Sequence, residues 1–212
     1  LAKIKFKIRS LIIIVVVLLL YPSARLFADV KITDPLQICQ LKIDSDNDGL
    51  IDNEEINIYR TDPNNQDSDG DGYSDGAEIK FGFDPNRVGD DKLEKRIVVA
   101  LADQSLSYFL GDYTIGSFEI SSGLPNTPTP SGEYQILKKI PVVEYKGFNY
   151  DYKNTRWNMM FKQNSPLNYY MHGAYWHNNF GSPMSHGCIN VSYSNIEALY
   201  NWSDLGTKVV IK

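Results

Sequence analysis

The chain has 212 residues, 42% of them hydrophobic, 12% aromatic and 22% charged, which excludes a wholly disordered chain, a collagen-like repeat and a multi-span membrane protein. Its net charge of −5 hides an imbalance: residues 44–91 hold 15 Asp/Glu against 3 Lys/Arg, and the remainder is net basic. So compact an acidic block points to bound cations and away from nucleic acid, while two cysteines, Cys39 and Cys188, are too few for a disulfide scaffold.

In chain order, Lys3, Lys5, Lys7 and Arg9 precede the uncharged apolar run Leu11–Tyr21, and no acid occurs before Asp29. A basic end followed by a short apolar run reads as a signal peptide or membrane anchor over residues 1–28, with a linker over 29–43. A spanning helix needs ~20 apolar residues, and Pro22 and Arg25 interrupt this run. The alternative, a buried core helix, fits poorly with all-round hydrophobicity flanked by clustered lysines. The expectation is an extracytoplasmic protein, secreted or tethered to the membrane at its N-terminus.

Residues 44–55 and 67–78 repeat one acidic pattern at an offset of 23. Each copy has Asp at loop positions 1, 3, 5 and 9, Gly at 6 and Glu at 12. Ca²⁺ takes six to eight hard oxygen ligands, and this spacing supplies them from one tight turn. The candidate ligands are Asp44, Asp46, Asp48, the Leu50 carbonyl, Asp52 and Glu55, and then Asp67, Asp69, Asp71, the Tyr73 carbonyl, Asp75 and Glu78. Asp52 and Asp75 would bind directly or through water. The competing reading is a solvated acidic linker that binds nothing, which two fully populated copies disfavour. Paired EF-hands fit poorly too, because the exit segments are short and run into Asp62-Pro63 and Asp84-Pro85. The loops, with spacers Thr61-Asp62-Pro63 and Phe83-Asp84-Pro85, resemble the thrombospondin type 3 repeat. That resemblance implies structural Ca²⁺ holding a coreless segment over 44–91, a metal-stiffened spacer without catalysis.

From Lys95 the texture changes. Arg96–Leu101 and Ser105–Leu110 form a hairpin signature, and Tyr113–Ile120, Glu133–Ile140 and Thr207–Ile211 read as further strands. Ser194-Asn195-Ile196-Glu197 reads as a capping box that opens one helix, stopped near Gly206. Residues 92–212 are expected to form a mainly β, mostly antiparallel domain with one or two short helices.

All three histidines, His172, His177 and His186, lie close in sequence to Cys188. A cysteine attacks as thiolate and needs a nearby base, for which His172 and His186 are the candidates. Gly187 allows a tight turn whose N–H groups could face an oxyanion. Three alternatives stand beside this: a buried structural cysteine, a zinc site from His172, His177, His186 and Cys188, and a Cys39–Cys188 disulfide.

Ser185-His186-Gly187-Cys188-Ile189-Asn190, with His172 sixteen residues before the cysteine, resembles the L,D-transpeptidase catalytic domain. Pro128–Tyr134 resembles that family's T-P-x-G-x-[FY] segment, Trp157–Phe161 the strand beneath the site, and Gly206–Ile211 the closing strand. The resemblance implies an antiparallel β sandwich or barrel without a catalytic cofactor, acting on peptidoglycan stem peptides. Cys188 would form a thioester, His172 would act as base oriented by the Gly173 carbonyl, and N–H groups of Gly187 and Cys188 would hold the oxyanion. His186 ranks behind His172 and would tune the thiolate or support the turn. Ser185, Asn190, Trp157 and Tyr175 are expected to contact substrate or hold the turn, and His177 has no assigned role. An amine acceptor gives a cross-link and water gives an L,D-carboxypeptidase. A non-catalytic, calcium-dependent wall-binding module is the remaining alternative.

Overall fold

The computed structural model describes residues 42–90, 92–147, 150–164 and 167–212. The expected signal or anchor, most of the linker, and Cys39 lie outside the described residues. Among the described residues no helix is long and apolar enough to cross a membrane.

Among the described residues nine strands form two sheets. The first has the order β3-β2-β1-β9-β4 and the second β5-β6-β7-β8. The ranges are β1 Lys95–Ala100, β2 Ser105–Leu110, β3 Tyr113–Glu119, β4 Gly132–Gln135, β5 Lys138–Lys146, β6 Asp151–Lys162, β7 Tyr169–Gly173, β8 Ile189–Val191 and β9 Lys208–Ile211. The short helices are α1 (Asp52–Glu54), which runs into a π-helical turn over Glu55–Tyr59, then α2 (Asp75–Phe81) and α3 (Tyr193–Trp202).

Alternation drives the packing. Ile97 and Val99 on β1, and Leu106 and Tyr108 on β2, point inward at period two and meet Met159, Phe161, Met171, Ile189 and Val209 in one core. Each such side chain, fully buried, contributes about 1.5–3 kcal/mol. Helix α3 closes the core with Ile196 and Leu199.

Pairing is mostly antiparallel, as expected, although β1 pairs with β9 and β7 with β8 in parallel, so both sheets are mixed. Two finer expectations change. The segment 133–140 is split by Ile136–Leu137 into β4 and the start of β5, which belong to different sheets. The capping box does not form: α3 begins at Tyr193 behind Ser192, and the Ser192 hydroxyl pairs instead with Ser194 Oγ at 2.9 Å.

The acidic repeats are packed on the β domain. The Tyr59 ring meets Tyr113 of β3 edge-on at 5.6 Å, and Asn86 Nδ2 donates to the Tyr59 carbonyl at 2.8 Å and to Tyr113 Oη at 3.1 Å. Tyr113 donates in turn to Asp84, and the Leu93 N–H to the Gly82 carbonyl at 2.8 Å. The segment expected to act as a spacer is therefore seated against β3, at the edge of the first sheet.

Candidate active site

Parallel neighbours need a long crossover, and the connection between β7 and β8 spans residues 174–188. That crossover carries His177, His186 and Cys188, while His172 sits near the end of β7, paired in register with Asn190 of β8. The topology thus gathers His172, Ser185, His186, Cys188 and Asn190 around one narrow cleft of about 60 Å³. Tyr145, Tyr150, Tyr152, Trp176 and Met184 complete its walls.

His172 is 4% exposed, and its Nδ1 lies 3.1 Å from the Gly173 carbonyl. A carbonyl only accepts, so Nδ1 carries the proton and Nε2 keeps the lone pair. The Tyr145 ring stacks on the imidazole at 4.7 Å and is itself fixed by donating to Asn158 Oδ1 at 2.9 Å.

Burial lowers the His172 pKa to about 4, with the Gly173 bond opposing and the nearby His177 adding to the drop. Burial also pushes the Cys188 thiol up to about 11, with a hydrogen bond from the Tyr170 backbone pulling the other way. The charged forms are disfavoured on both sides. At neutral pH the cleft therefore holds a thiol and a neutral imidazole.

The turn before Cys188 is held by two hydroxyls. Gly187 adopts φ +114°, where a side chain would be strained, and a Cβ there would stand 2.8 Å from the Tyr169 ring. Ser185 Oγ accepts the Gly187 N–H at 3.1 Å and donates to the Cys188 carbonyl. Thr129 Oγ1, buried, accepts the Gly123 N–H and donates to the Gly187 carbonyl, both at 2.9 Å. The Gly187 N–H, expected to face an oxyanion, is thus engaged by Ser185.

His186 is exposed and lies 5.0 Å from the Tyr150 ring. The cleft does not include Trp157, which has φ +57° and turns its ring edge-on to Tyr193 at 5.1 Å. Tyr175 is half exposed, donates to the Lys153 carbonyl at 2.9 Å and flanks Trp176 without lining the cleft. Among the described residues Cys188 has no disulfide partner, and the histidines form no metal-holding cluster with it. Sequence reasoning does not reach Thr129, Tyr145, Tyr150, Tyr152 or Trp176 as separate site residues; the one available signal is the Tyr-x-Tyr spacing of 150 and 152, whose rings stack at 5.4 Å where β6 begins.

In the repeats, Asp44, Asp46 and Asp48 converge, as do Asp67, Asp69 and Asp71. Buried oxygens of Asp44, Asp46, Glu55, Asp69 and Glu78 have no hydrogen-bond partner among the described residues. Burial lifts Glu55 and Glu78 to about 7, reinforced by the neighbouring aspartates. Unpaired, converging, buried carboxylate oxygens are what a hard cation would satisfy, so this donor set fits Ca²⁺. Asp52 and Asp75 stand apart from these clusters: the oxygens of Asp52 accept the Ser45 N–H and hydroxyl at 2.9 and 2.8 Å, and those of Asp75 the Ser68 pair at 2.8 and 2.6 Å. Leu50 and Tyr73 contribute N–H groups to Asp48 and Asp71 at 2.7 and 2.9 Å. The loops are also joined, since Asp48 Oδ2 accepts the Gly76 N–H at 2.6 Å.

Comparison with known proteins agrees with these features. The family model described as the L,D-transpeptidase catalytic domain matches residues 94–211, and the bacterial TSP3 repeat matches 44–66 and 67–87. A search of curated proteins returned no match. Among solved structures, an L,D-transpeptidase from Mycobacterium smegmatis is 23% identical, with TM-score 0.52 over 57% of this chain and 59% of that one. One from Enterococcus faecium is 26% identical, with TM-score 0.51 over 56% and 50%. L,D-transpeptidase 3 from Mycobacterium tuberculosis, solved with a faropenem-derived adduct, is 21% identical, with TM-score 0.52 over 57% and 61%. The chain spans about half to three-fifths of the length of these structures. With the family model covering more than half of its residues, the chain belongs to the L,D-transpeptidase catalytic-domain family, with bacterial TSP3 repeats ahead of that domain.

Proposed function

We propose that this protein is a cysteine-dependent L,D-transpeptidase that acts on peptidoglycan stem peptides outside the cytoplasm. The observation that supports this best is the shared cleft of Cys188 and a neutral, oriented His172 whose Nε2 is available as base. Cys188 Sγ attacks the donor carbonyl while its proton passes to His172 Nε2. The Cys188 N–H stabilises the oxyanion. The tetrahedral adduct expels the terminal D-residue, whose amine takes the proton from His172, and leaves a thioester. An acceptor amine, deprotonated by Nε2, then displaces Cys188. The buried, neutral His172 and the raised thiol of the half-buried Cys188 suit this order, because neither group carries charge before the donor arrives.

In the same reading, Ser185 holds the turn, Asn190 contacts the donor, and His186 stays outside the proton transfer. Trp157 and Tyr175 support the walls from behind. Asp44, Asp46, Asp48 and Glu55, and Asp67, Asp69, Asp71 and Glu78, hold Ca²⁺ with the carbonyls of Leu50 and Tyr73. The bound ion supplies charge neutralisation and rigidity and takes no part in acyl transfer.

The test is incubation of the full chain with tetrapeptide-stem muropeptides, followed by mass spectrometry. Dimers that have lost one terminal D-residue, absent with Cys188→Ala, are expected. Shortened monomers alone would make it a carboxypeptidase, and unchanged substrate with folded, reduced protein would overturn the assignment.

A further inference from the structure

His177 Nδ1 lies 3.2 Å from the Asn179 backbone N–H, and its Nε2 lies 3.0 Å from the Asn190 side-chain amide. A backbone N–H only donates, so Nδ1 must hold a lone pair. The neutral ring then carries its proton on Nε2. Burial lowers the His177 pKa and favours that neutral form. An Nε2–H cannot face an NH₂ group, since both are donors. Amide oxygen and nitrogen exchange places by a half-turn, so the partner of Nε2–H is Asn190 Oδ1.

We propose that His177 is a positioning residue that binds the Asn190 amide oxygen through Nε2–H, so that the Asn190 NH₂ faces the cleft as a donor to a carbonyl or carboxylate oxygen of the acyl donor. Asn190 is 2% exposed, lies on β8 two residues after Cys188, and lines the same cleft as that thiol. It is also beside His172 in the parallel ladder. Its backbone is pinned by reciprocal bonds with Ser121, both 2.9 Å, so only the side chain is left to orient. The His177 ring is held in turn by Phe180 at 5.0 Å and Trp176 at 6.2 Å. The functional part of this proposal rests on the cysteine acyl-transfer reading above; the orientation does not.

Nitrogen-15 NMR of the full chain reads the orientation directly. The expected result is a pyrrole-like Nε2 and a pyridine-like Nδ1 on His177, with Asn190 NH₂ protons near the Cys188 methylene. A protonated Nδ1, or Asn190 NH₂ protons near the His177 ring alone, would overturn the proposal whatever the activity. His177→Phe keeps an aromatic ring but removes the donor, and His177→Gln restores an N–H. The Phe variant is expected to acylate from peptide donor roughly 10-fold more slowly, as for one lost hydrogen bond, while iodoacetamide modifies Cys188 at the wild-type rate. The Gln variant should recover most of the loss, and equal peptide acylation by wild type, Phe and Gln would overturn the proposal. A wild-type protein that acylates with no donor, yet shows the expected nitrogen spectrum, would instead sink the acyl-transfer reading and leave the orientation standing.

Discussion

Thr129 Oγ1 donates to the Gly187 carbonyl at 2.9 Å, one residue before the Cys188 thiol. The same oxygen accepts the N–H of Gly123, where a Cβ would stand 2.9 Å from Gly187 Cα and 2.1 Å from the Thr127 carbonyl. The turn before Cys188 is therefore braced by a side chain remote in sequence and packed against backbone that only glycine permits. Thr129→Val keeps the shape and removes both bonds, leaving a buried carbonyl and N–H unpaired at a cost of about 1–3 kcal/mol each. The expected outcome is at least a 10-fold slower acylation with a lower melting temperature, and near-complete recovery in Thr129→Ser. Unchanged acylation in a folded Val variant would count against the brace.

The pKa directions fix the pH dependence. His172, lowered to about 4 by burial, stays an unprotonated base until the pH falls through that value. Peptide turnover should hold down to about pH 5 and decline below it, rather than fall near the ordinary histidine value of about 6.5. Cys188, raised to about 11, is almost wholly thiol at pH 7. Its alkylation by iodoacetamide should rise about tenfold per pH unit from 7 to 10. A rate already level at pH 7 would reveal a preformed thiolate.

Calcium removal should act on stability. Five buried carboxylate oxygens without partners lie in the two loops, and each costs about 1–3 kcal/mol when nothing satisfies it. Chelation is expected to lower the melting temperature of the full chain by several degrees. Because Tyr59 and Asn86 tie the repeats to Tyr113 of β3, the β domain should share in that loss. Alkylation of Cys188 should be unaffected. An unchanged melting curve in chelator would contradict the calcium assignment.

Much of this was legible in the sequence because it is local. The 23-residue repeat, the β1–β2 hairpin and the cluster around Cys188 each depend on neighbouring residues. What the sequence hid is set by pairings between distant segments. The parallel neighbours of β1 and β7 come from long crossovers, and the brace on Gly187 comes from Thr129, fifty-eight residues away. Trp157 reads as a site residue by its neighbours, yet its positive φ turns it toward Tyr193. Asp52 and Asp75 fill a ligand position by spacing, and what spacing does not show is that each oxygen also accepts a hydrogen bond from Ser45 or Ser68. The capping signal at Ser194 lost to an earlier start of the helix at Tyr193.

The most direct test of the account is peptide mapping of the full chain after exposure to a penem. One covalent adduct on Cys188 is expected, lost in Cys188→Ala and much slowed in His172→Ala. A folded, reduced protein that forms no adduct, or forms one equally fast without His172, would contradict it.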